Sequence, residues 1–130
     1  MACRRRTSVV VMTIARKQLG STGERIAARW YESEGYDVVA MNWRVAEGEI
    51  DVIARREEVL VFCEVKTRNG NRFGTGLDAV TVEKQRQVRM LAYHWLRLHP
   101  MFGVATVRFD VVAIDVSTRP IAVQVVPDAF

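Results

Sequence analysis

The sequence predicts an α/β domain, a mixed β-sheet flanked by helices. Three observations lead there. Two stretches, 21–34 and 81–98, carry apolar residues at helical spacing. Short β-prone runs separated by turn signals lie between and after them. One run, Val59 to Val65, is apolar almost throughout, as a strand covered on both faces must be. The order, α-β-β-β-α-β with a final β, favours helices packed around a mixed sheet.

Ser21 to Glu24 reads S-x-x-E, a capping box. Behind it Ile26, Ala27, Trp30 and Tyr31 form an apolar stripe, and Gly35 supplies the stop. Tyr36 to Asn42 is a short strand, Ala46-Glu47-Gly48 a turn, and Glu49 to Arg55 the next strand. Glu57-Glu58 breaks the pattern as a hairpin turn before Val59. A Gly- and Asn-bearing loop follows, including Gly70, Gly74 and Gly76. Thr81 caps the second helix, whose core face is Val88, Leu91, Ala92, Trp95 and Leu98, and Pro100 ends it. Val104 to Val116 and Ile121 to Val126 are the last strands.

The chain has 130 residues, the size of one domain with one core. Its 49% hydrophobic and 26% charged shares are those of a soluble globular protein. Residues 1–17 read as a basic, flexible tail, and residues 18–130 as the domain. The apolar run Thr7 to Ala15 is too short to span a bilayer. It leads into Arg16 and Lys17 with no small-residue cleavage pattern, so no signal peptide is expected. The expected location is the cytoplasm, away from any membrane. Met12 is an alternative start.

The formal net charge is +4 and the pI about 9.5. Residues 1–17 hold five basic groups and no acid, so the other 113 residues sum to −1. The local balance is more informative: between 66 and 89, Lys66, Arg68, Arg72, Lys84, Arg86 and Arg89 face only Asp78 and Glu83. Such a basic segment suits a nucleic-acid backbone. Cys3 and Cys63 lack metal-site spacing, and Cys63 reads as a small buried hydrophobe. His94 and His99 are badly spaced for two ligands on one helix.

Two polar features interrupt this pattern. In Gly48-Glu49-Ile50-Asp51-Val52-Ile53, alternation puts Glu49 and Asp51 on one face and Ile50 and Val52 on the other. In Glu64-Val65-Lys66, Glu64 and Lys66 share a face. Folding the hairpin about its turn pairs Asp51 directly with Glu64. Two like charges opposite each other on a sheet repel, so a divalent cation or Lys66 should compensate. Oxygen ligands favour Mg²⁺ or Mn²⁺. An ion beside a lysine suits phosphodiester hydrolysis, because the ion stabilises developing charge and acidifies water. The same residues also fit a plain salt bridge of Lys66 with Glu64 or Asp51, and spacing alone leaves both open.

The ordered string N-x-R-x₃-G-E-I-D-x-I, then V-F-x-E-V-K-x-R, F-G, V-T-x-x-K and R-F-D-V-V resembles the YraN family. It occupies Asn42 to Ile53, Val61 to Arg68, Phe73-Gly74, Val80 to Lys84 and Arg108 to Val112; Gly23-Glu24 with Ala27 also fits. That family resembles the restriction-endonuclease-like superfamily, and in particular the Holliday-junction resolvases. The resemblance implies an αβββαβ core and a metal site. Asp51 and Glu64 match the metal-binding acids, and Lys66 the catalytic lysine. Glu24 matches a helix acid that completes the site, and Val65 lies within the ligand set. Glu24 has the capping box as its other reading. Lys84 matches a position near the site, or is a solvated helix charge. Glu49 has no role in the pattern; it adds an acid or pairs with Arg44. Arg44, Arg68, Arg72 and Lys84 are the expected nucleic-acid contacts.

The expected function is a Mg²⁺- or Mn²⁺-dependent endonuclease acting on DNA, including branched DNA in recombination or repair. The alternative is a non-catalytic nucleic-acid-binding module on the same fold. Resolvases cut two strands, so the resemblance also implies a homodimer.

Overall fold

The computed structural model describes residues 8–12, 23–70, 80–103 and 106–130. Ser21, Arg72, Phe73, Gly74 and Gly76 lie outside them. The elements are β1 (Ser8–Met12), α1 (Gly23–Ser33), β2 (Asp37–Val45), β3 (Gly48–Arg56), β4 (Val59–Arg68), α2 (Val82–Leu98), β5 (Thr106–Asp115) and β6 (Ile121–Val126). The six strands form one sheet in the order β1-β6-β5-β4-β3-β2. Only β4 and β5 run parallel; the other neighbours are antiparallel. A parallel pair needs a crossover, and α2 supplies it. This is the expected α/β architecture with an αβββαβ core. Ser8–Met12, within the segment read as a tail, forms an edge strand against β6.

Each helix covers one face. Ile26, Ala27 and Tyr31 of α1 pack on Val52, Ala54, Val61, Cys63, Val112 and Ile114. Leu91, Ala92 and Trp95 of α2 pack on Ile50, Ile53, Leu60 and Phe62. Strand β4 therefore sends Val61 and Cys63 to one core and Leu60 and Phe62 to the other, which is why its sequence is apolar without alternation. Cys63 is buried in this core, as expected.

Local chemistry sets both helix ends that matter. Helix α1 ends in a Schellman motif. Gly35 adopts φ +87°, its N–H bonds Glu32 C=O, and Tyr36 N–H bonds Tyr31 C=O at 2.9 Å. Tyr36 then meets Tyr31 edge-on, with ring centroids 5.2 Å apart. At the start of α2, Thr81 accepts the Lys84 N–H at 3.1 Å, as a capping threonine should.

The β3–β4 hairpin has the expected register, from Val52↔Cys63 to Arg56↔Val59. One facing expectation fails. Ile50 joins the α2 core, but Val52 joins the α1 core, so the two do not share a face. Strict alternation breaks around Asp51, opposite Asn42 in the β2–β3 register. Asn42 has φ +50°, a left-handed turn of the backbone that Asn tolerates better than most residues. Strand β2 also carries a register shift between Val38 and Ala40. These irregularities let β3 twist at the point where the acids sit.

Candidate metal and nucleic-acid site

Helix α1 starts very close to β4. A Cβ on Gly23 would lie 2.2 Å from Thr67 Oγ1 and 3.1 Å from Ile114 Cδ1, so only glycine fits without a shift. That approach sets Glu24, in the first helical turn, over the sheet. An acid there is also favoured by the helix dipole. Further along α1, the Tyr31 hydroxyl donates to Asp110 Oδ2 at 2.6 Å. Asp110 is fully buried and also accepts from Arg108 Nε at 2.8 Å and Asp128 N–H at 3.0 Å. Burial pushes the Tyr31 hydroxyl well up, aided by the Cys63 and Asp110 charges, so it stays a donor. This network pins α1 to β5. Sequence reading saw Tyr31 only as a stripe residue.

Glu24, Glu49 and Asp51 converge: one oxygen from each lies within 4.8 Å of the others. Glu49 and Asp51 share a side of the sheet, as alternation predicts. Glu49 is also held by Arg44, whose Nε donates to Glu49 Oε2 at 2.9 Å. Glu49 thus both joins the acids and pairs with Arg44. The signal that could have enlisted it was its place two residues before Asp51.

Asp51 and Glu64 follow the last ladder pair and stand opposite each other by its register. There Asp51 Oδ2 accepts the Val65 N–H at 2.7 Å, taking the place of a ladder carbonyl. Burial and the Glu64 charge raise the Asp51 pKa from 3.8 to about 7; Glu24 and Glu49 add to this, and the Val65 N–H opposes it.

Glu64 itself is 5% exposed. Two ammonium groups share its Oε1: Lys66 Nζ at 3.5 Å and Lys84 Nζ at 3.7 Å. Lys84 thus reaches Glu64 from α2, and Lys66 from two residues along β4. A buried carboxylate needs such partners. Arg68 stands at the end of β4, where its C=O accepts Val116 N–H at 2.8 Å. The calls on Arg72 and on the Ser21 half of the capping box lie outside the described residues.

The donor set is all oxygen, which suits a hard divalent cation such as Mg²⁺ or Mn²⁺ better than a soft one. Three acids whose charges oppose one another have an electrostatic reason to accept a cation. Among the described residues no helix is long and apolar enough to cross a membrane.

Fold and acids together define the class: a restriction-endonuclease-like α/β domain with acids that could hold a metal ion. The model for "Uncharacterised protein family UPF0102" matches residues 23–114, and the chain belongs to that family. This is the YraN family of the sequence resemblance. Relatives bearing the family name extend the match. A UPF0102 protein of Parafrankia sp. (strain EAN1pec) is 47% identical over 98 residues, covering 75% of this chain and 82% of the relative. One from Frankia casuarinae is 43% identical over 117 residues, covering 89% and 98%. One from Rhodococcus opacus (strain B4) is 46% identical over 113 residues, covering 86% and 95%.

Proposed function

We propose that the chain is a divalent-metal-dependent endonuclease that hydrolyses phosphodiester bonds in DNA, branched DNA included, in the cytoplasm. The observation that carries the reading is the meeting of Asp51 with Glu24 and Glu49 beside a Glu64 that two lysines share. A pure binding surface has no use for acids next to a phosphate, since they repel it.

In this reading Asp51, Glu64, Glu24 and the Val65 backbone hold Mg²⁺ or Mn²⁺, with Glu49 as a further acid. The ion, when bound, supplies positive charge against the phosphate and makes water more acidic. Glu64 fixes Lys66 and Lys84 at its rim. Lys66, as the catalytic lysine, sets an ammonium toward the scissile phosphate and orients the attacking water. Lys84, Arg68 and Arg72 contact flanking phosphates. Arg44 holds Glu49 and is positioned to meet the backbone as well.

The test is a panel of linear, nicked, flapped and four-way DNA, incubated with Mg²⁺ or Mn²⁺ and run beside Asp51→Ala. Cleavage by wild type and none by the variant is expected. DNA bound but never cut would make the chain a non-catalytic nucleic-acid-binding module.

A further inference from the structure

The outer face of α2 is exposed and carries apolar side chains that a solvated helix does not need. Val82 is 61% exposed, Met90 44% and Tyr93 62%. Glu83, Arg86, Met90, Tyr93 and Arg97 follow one another at alternating steps of three and four residues, the seam spacing of helices that pair. This seam lies opposite the core face formed by Val88, Leu91, Ala92 and Trp95. Met, Tyr and Arg are the types enriched where proteins meet. The Arg97 guanidinium lies over the Tyr93 ring at 5.8 Å, which keeps it along the seam.

We propose that this face binds a second copy of the chain, with the two α2 helices antiparallel about a twofold axis at Met90. The argument is charge complementarity. In such a pair, residues equally distant from Met90 on either side meet. Glu83 and Arg97 are each seven residues from it. Glu83 of one copy therefore meets Arg97 of the other, twice by symmetry. Met90 meets Met90 on the axis, and Tyr93 packs toward Arg86 of the other copy. The same helix in a parallel pair would set Glu83 against Glu83 and Arg97 against Arg97. One helix pair buries an area near or below the lower limit of about 1,200 Å² for stable interfaces, so the dimer forms and dissociates with concentration. The inference uses none of the acidic site and stands apart from the nuclease reading.

The test is sedimentation velocity of the full chain over a concentration series. Wild type should move from 14.8 kDa toward twice that mass as concentration rises. Glu83→Arg and Arg97→Glu should each weaken association about tenfold or more, by turning attraction into repulsion at both pairs. Mixing the two variants should restore dimers, since the mixed pair regains both contacts; this also shows that each variant is folded. Wild type that stays at 14.8 kDa throughout, or variants that associate as well as wild type, would overturn the proposal. A monomeric wild type that loses DNA retention on Arg97→Glu would mean that the face holds nucleic acid instead.

Discussion

The Val65 backbone N–H donates to Asp51 Oδ2 at 2.7 Å, so a side chain continues the hydrogen bonding where the β3–β4 ladder ends. The same carboxylate faces Glu64, Glu24 and Glu49 and is half-buried. Its position ties the sheet to the acids.

A first prediction concerns pH. The Asp51 pKa rises from 3.8 to about 7 on folding, chiefly through burial and the Glu64 charge. Between those values the folded metal-free chain holds a proton that the unfolded chain has released. Stability is therefore greatest below the unfolded value and falls as pH rises through the folded one. Urea unfolding across this window should show that slope, and Asp51→Asn should flatten it. Mg²⁺ should stabilise wild type more above the window than below it. An identical slope in both proteins would remove Asp51 as its source.

Lys66→Ala should slow single-turnover DNA cleavage by about 10²–10³, the loss typical of one preorganised donor. Metal and DNA binding should largely survive. Asp51→Ala should instead weaken Mg²⁺ binding, measured by calorimetry. Equal cleavage by wild type and Lys66→Ala would make the lysine structural.

Gly23→Ala should destabilise the fold by about 1–3 kcal/mol, since the new methyl collides with Thr67 Oγ1. Thr67→Ala should recover part of that loss by removing the oxygen. Thermal unfolding of the single and double variants reads both effects, and full additivity would argue against the contact.

Tyr31→Phe removes a donor from fully buried Asp110 and should cost about 1–3 kcal/mol. Because α1 carries Glu24, Mg²⁺ affinity should fall as well. Chemical denaturation and calorimetry on the same samples test the coupling.

DNA affinity should drop steeply with salt, with a slope of about −0.9 per phosphate contacted. The motive is the excess of basic residues between 66 and 89. A chain beginning at Met12 that binds no DNA at low salt would sink the nucleic-acid reading.

Much of this molecule was legible because short-range chemistry specified it. The two-residue turn at Glu57-Glu58 fixes the hairpin, and the register that sets Asp51 across from Glu64 follows by symmetry. Thr81 and Gly35 marked helix ends through their own bonding preferences. What stayed hidden depends on distant partners or on a broken period. Val52 faces α1 because the backbone twists beside Asp51 and Asn42, and alternation cannot register such a twist. Lys84 reaching Glu64 required the packing of α2 on the sheet. The Tyr31–Asp110 bond joins residues 79 apart, with no local pattern to announce it.

That separation has a kinetic consequence. Asp51 and Glu64 sit on one hairpin, which closes through a short loop and can form within microseconds. Glu24 rides on a helix whose buried anchor is on β5, so its placement waits on a far longer loop closure and on the parallel β4–β5 crossover. Assembly of the acids is therefore divided between an early, local event and a late, distant one. On the ribosome, the chain should have no fully anchored acid cluster until β5 has emerged.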